Sequence, residues 1–166
     1  MAKRFHFSLK SLLIFTCFAA ILCACGVFLY QKTRHDWGYG PYDAFSEWPR
    51  SLVEMIGSDT ALIVDVEPYG LGNFIDHRSI WRIKPGSPLR QLLFDKNTLA
   101  ATNADHPKVP ELIDSVPSKW KACRWEDCNW YATPGYGSKH IEGLDLFLVA
   151  ENPDTGGLVV LHEWIF

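Results

Sequence analysis

From Ser11 to Gln31 the chain runs for 21 residues without a charged side chain, and this run constrains the fold more than any other feature. It reads SLLIFTCFAAILCACGVFLYQ. As a helix rising 1.5 Å per residue it covers ~30 Å, the thickness of a bilayer's hydrocarbon core. It has no polar face, unlike a helix that lies on a globular core. Lys3, Arg4 and Lys10 precede it, and Lys32 and Arg34 follow, so the flanking stems can snorkel to headgroups. Tyr30, Trp37, Tyr39 and Tyr42 supply interfacial aromatics. The expectation is one transmembrane helix over 11–31 that acts as a signal anchor. Two alternatives stay open here. Leu22-Cys23-Ala24-Cys25 has the form of a lipobox, which would place lipidation at Cys25, and Ala24 or Gly26 would suit signal cleavage.

Charge divides along the same line. Residues 1–35 carry +5 and residues 36–166 carry −8, which together give the formal −3. By the positive-inside rule the N-terminus is cytoplasmic and the acidic remainder extracytoplasmic, as in a single-pass protein of a bacterial inner membrane. The expected domains are a cytoplasmic basic tail (1–10), the membrane helix (11–31), a juxtamembrane linker (32–48) and an extracytoplasmic domain (49–166). With 48% hydrophobic residues, 12 Gly and 10 Pro, disordered and collagen-like chains are excluded. The acidic balance argues against a nucleic-acid partner.

Arg4-Phe5-His6-Phe7-Ser8-Leu9-Lys10-Ser11-Leu12-Leu13 resembles the "RFSLRTLL" start of small uncharacterised membrane-anchored proteins of planctomycete bacteria. The resemblance covers about the first 30 residues. It implies a membrane anchor and no activity, and it does not extend to the outer domain.

The outer domain has the pattern of an α+β fold, a mostly antiparallel sheet with short helices. Proline opens three helix candidates, at Pro49, Pro88 and Pro110. Strands are expected at 60–67, 79–84, 144–151 and 158–166. The last two flank Asn-Pro-Asp-Thr-Gly-Gly and read as a hairpin. Unbroken apolarity over 146–150 marks a central strand covered on both faces.

Chemistry is sparse. Cys123 and Cys128 would lie opposite each other in a hairpin centred between Trp125 and Glu126, within disulfide reach. No four-ligand metal pattern is present, and no cofactor is expected. Gly-x-Ser-x-Gly, His-Glu-x-x-His and the phosphate-loop spacing are all missing. Asp76-His77 and His140-Glu142 are the candidate base–carboxylate pairs. Trp120, Trp125, Trp130, Tyr131 and Tyr136, interleaved with Lys119, Lys121 and Arg124, have the composition of an aromatic platform for a glycan or peptide.

The reading is therefore a membrane-anchored, non-catalytic interaction module of the cell envelope. Its partners are the lipid bilayer and an envelope protein or glycan. The alternatives are a glycan- or peptide-binding domain using the aromatic platform, and a hydrolase with a His–carboxylate site.

Overall fold

The computed structural model describes residues 9–36, 39–72, 77–120, 124–138 and 144–164. The chain divides into two compact units, Met1–Asp36 and Trp37–Phe166.

The first unit is one helix, α1 (Leu9–Asp36). Its described side chains run from Ile14 to Leu29, 16 residues, half of them Ala, Cys, Gly or Thr. The same helix then continues through Gln31, Lys32, Thr33, Arg34, His35 and Asp36. Among the described residues no helix is long and apolar enough to cross a membrane. This overturns the transmembrane helix and signal anchor expected at 11–31, and with them the single-pass inner-membrane location.

The second unit is built on one seven-stranded sheet, all neighbours antiparallel, in the order β1-β2-β3-β7-β6-β5-β4. The strands are β1 (Tyr39–Pro41), β2 (Val66–Leu71), β3 (His77–Ile83), β4 (Ala100–Thr102), β5 (Asn129–Ala132), β6 (Asp145–Glu151) and β7 (Leu158–Trp164). Three helices cover it: α2 (Arg50–Ile56), α3 (Leu89–Lys96) and α4 (Val109–Ser115).

Strand alternation sends neighbouring side chains to opposite faces, so each central strand feeds two cores. On one face Ile80, Leu146, Leu148 and Leu161 pack under Val109 and Leu112 of α4. On the other, Trp81, Phe147, Val149 and Val160 pack under Leu52 of α2 and Leu93 of α3. The result is three layers with helices on both sides. β6 and β7 are buried on both faces, which is why their sequences are continuously apolar.

Local chemistry sets the ends of these elements. α2 stops at Gly57, which has φ +57°. Gly72 has φ +61°, and a Cβ there would run into the ring of Tyr39, so glycine is what lets β1 lie beside the end of β2. Asn152 accepts from the backbone N–H of Asp154 and Thr155 and ties the β6–β7 turn.

Two local expectations fail. Thr60–Asp65 winds as a 3-10 helix capped by Asp59, and extended structure begins only at Val66. Trp125–Asp127 is a 3-10 turn in place of a hairpin tip. β5 pairs with β4 on one side and β6 on the other. Cys128 is a thiol whose Sγ donates to the Arg124 carbonyl at 3.5 Å, and no disulfide forms among the described residues. Cys123 lies outside them.

Candidate functional site

At one end of the sheet, where β3 and β6 begin and β7 finishes, apolar alternation gives way to polar residues on both faces at once. The register sets His162 of β7 between Ser79 of β3 and Phe147 of β6. The next residue, Glu163, lies between Arg78 and Leu146 and points to the opposite face.

His162 is 2% exposed and sits between two aromatic rings, Trp81 at 4.9 Å and Phe147 at 5.0 Å. Its Nε2 is 2.6 Å from Asp145 Oδ1 and 3.1 Å from Ser51 Oγ. Its Nδ1 is 3.4 Å from Ser79 Oγ. Trp81 Nε1 donates to Ser79 Oγ at 2.8 Å. An indole N–H can only donate, so Ser79 Oγ accepts from Trp81. A carboxylate can only accept, so Nε2 carries a proton and donates it to Asp145 Oδ1. The chain Trp81–Ser79–His162–Asp145 leaves neither ring nitrogen without a partner.

Ser51, Asp145 and His162 are the residue types of a hydrolytic triad, but the wiring differs. A serine nucleophile needs an imidazole nitrogen free to take its proton, with the carboxylate orienting the ring from the other nitrogen. Here Ser51 and Asp145 both face Nε2, and Nδ1 is occupied by Ser79. Nε2 already gives its proton to Asp145, so it does not draw the Ser51 proton.

On the opposite face Glu163 is held by Arg78 Nε at 2.6 Å and Lys108 Nζ at 3.1 Å. Glu111 closes the cluster through Lys108 at 3.0 Å and a contact with Arg78. Burial by itself would raise the Glu163 carboxyl, but hydrogen bonding and charge from Arg78, charge from Lys108 and the Tyr136 hydroxyl together hold it below the usual carboxylate range. Burial first, and then Glu163, push the Tyr136 phenol far upward. The His106 imidazole is lowered, chiefly by burial, and its Nδ1 accepts from the Lys108 backbone N–H at 3.2 Å.

The five aromatic positions singled out by sequence do not share a surface. Trp120, Trp130 and Tyr136 are buried in the α4-side core. Trp125 is half-buried, 6.3 Å from Trp130. Tyr131 follows Trp130 on one strand and therefore faces the other side, edge-on to Phe94 at 4.9 Å. Cys25 is exposed on α1. Asp76, His140 and Glu142 lie outside the described residues, and His77 stacks on Trp164 at 5.9 Å. Among the described residues no three His, Cys, Asp or Glu side chains converge to hold a metal.

Nothing in the sequence joins His162 to these partners. Asp145 is 17 residues away and Ser51 111 residues away, and only the strand register and the packing of α2 bring them together. No protein family, curated protein or solved structure matches the chain.

Proposed function

We propose that this chain is a non-catalytic interaction module, in which the sheet unit is a rigid body and α1 supplies an apolar contact surface. The hydrogen-bond pattern at His162 carries the first half of this reading. His162, set beside both a hydroxyl and a carboxylate, is used as a brace between β3, β6 and β7, with Nε2 already donating to Asp145 and so not free to act as a base toward Ser51. Support for the second half comes from α1, where Ile14, Phe15, Phe18, Ile21, Leu22 and Phe28 are 57–70% exposed. Contiguous apolar surface on that scale marks an interaction site.

A fluorophosphonate probe, which reacts with activated serines, tests the non-catalytic half. The expected result is no labelling of the full chain, with wild type and Ser51→Ala indistinguishable. Covalent labelling mapped to Ser51 by peptide mass spectrometry, abolished by His162→Phe, would overturn it.

One observation favours a second reading, a glycan or peptide ligand near 119–130. The indole N–H groups of Trp120 and Trp130 are buried and find no acceptor among the described residues. A ligand hydroxyl or carbonyl would supply one. Titrating the chain with chitin and cellulose oligomers or a mixed peptide pool, read by tryptophan fluorescence, decides it. A saturable shift lost in Trp125→Ala would support the ligand site, and a flat titration would rule it out.

A further inference from the structure

We infer that His106 is an acid-sensitive clasp that holds the turn over 103–108 against the turn over 133–138 and so keeps the α4-side core closed.

The turn over 103–108 leads from β4 into α4, and the His106 N–H donates to the Asn103 carbonyl within it at 3.2 Å. His106 Nδ1 accepts from the Lys108 backbone N–H at 3.2 Å. A backbone N–H can only donate, so this bond exists only while Nδ1 carries no proton. The imidazole stands 6.0 Å from the Tyr136 ring of the facing turn. The two turns come this close because Gly137 has no side chain: a Cβ there would lie 2.8 Å from Pro107 Cγ and 3.5 Å from His106 Cε1. Tyr136 itself is buried and fills the core together with Val109, Leu112 and Trp130.

Lys108 carries the effect beyond one hydrogen bond. Its ammonium lies 5.4 Å over the Tyr136 ring and binds Glu111 at 3.0 Å and Glu163 at 3.1 Å. The backbone bond to His106 therefore fixes the residue that joins α4, β7 and the turn over 133–138. A proton on Nδ1 removes that bond and sets a second cation beside Lys108. The carboxylates of Glu111 and Glu163 are already held by Lys108 and by Arg78 of β3, and Asp105, the one acid on the turn, is exposed. Burial first, and then Lys108, hold the imidazole below its ordinary range against the pull of the Tyr136 backbone. The neutral ring thus contributes its stability in full above the ordinary histidine value, about 6.5. That contribution is lost as pH falls through the lower folded value. Protonation parts the two turns, uncovers Tyr136 and lets Lys108 leave Glu163.

Amide hydrogen exchange of the full chain, followed by NMR at about pH 7.5 and about pH 5 and corrected for the intrinsic rate, tests this. Carboxylates with ordinary values near about 4 stay ionised at both, so the histidines are what changes. The Lys108 and Tyr136 amides are expected to lose protection several-fold in acid, along the titration curve of the His106 ring in the same samples. His106→Asn keeps an acceptor near the Nδ1 position that takes up no proton, and its Lys108 amide should stay protected at both pH values. Near-ultraviolet circular dichroism at neutral pH reports whether that variant is folded. If it is not, agreement between the wild-type exchange and ring-titration curves supports the clasp and disagreement overturns it. Three further results overturn it: Lys108 protection that holds constant while the His106 ring titrates, a loss in acid that His106→Asn shows equally, and a ring that stays neutral down to about pH 4, where carboxylates themselves titrate.

Discussion

Glu163 carries most of the electrostatic work in the sheet unit. It is buried to 4% exposure and neutralised by Arg78 and Lys108, both about three-quarters buried. Its folded-state pKa lies below its unfolded value, so the carboxylate contributes stability in full above the ordinary carboxylate pKa, about 4.3. That contribution is lost as pH falls through the lower folded value. Glu163→Gln leaves two partly buried cations without their central partner, which is expected to cost about 3 kcal/mol at pH 7. Urea unfolding of wild type and variant across pH 7 to 3 checks this. The gap between them should narrow toward zero in acid, where the wild-type carboxyl also becomes neutral. A constant gap would mean that charge is not the source of the effect.

At the scale of elements, the two cores share strands but no helices. Leu93 of α3 and Leu112 of α4 are each fully buried, on opposite faces of the sheet. Leu93→Ala and Leu112→Ala should each destabilise the unit by about 3 kcal/mol, from lost transfer energy and the cavity left behind. Separated by the sheet and sharing no partners, they should combine within about 0.5 kcal/mol of additivity. A double-mutant cycle by urea unfolding measures this, and strong coupling would show that the two faces do not pack independently. The same elements show which parts of the fold could be read in sequence. The β6–β7 hairpin and the proline-opened helices were visible because turn chemistry and apolar spacing are local signals. The three-residue edge strands β1 and β4 were not, since so short a segment has no period to detect. At 60–65 β-branched composition misled, because Asp59 capping the Ala61 N–H outweighed strand preference. The His162 site was illegible for a different reason: its members are joined only through register and the docking of α2.

Across the whole sheet unit, the polar end of β7 has to be weighed against the apolar remainder of the strand. Leu158, Val159, Val160 and Leu161 are all buried, and either core would accept any of them. Apolar alternation, the usual means of fixing a strand's register, therefore says little here. Only His162 and Glu163 distinguish the two faces. A slip of one residue would bring a carboxylate between Trp81 and Phe147 and an imidazole against Arg78 and Lys108, each in a setting hostile to it. The double variant His162→Leu/Glu163→Leu should keep its helical and sheet content but lose uniqueness, seen as multiplied or broadened amide peaks in a heteronuclear correlation spectrum. A single sharp set of peaks would show that the turn at Asn152 is enough to fix the register. The dipeptide thus works as a key cut at the tip of an otherwise featureless strand: the chain proofreads the threading of its most buried segment with two residues, and it does so at the last step before the strand ends.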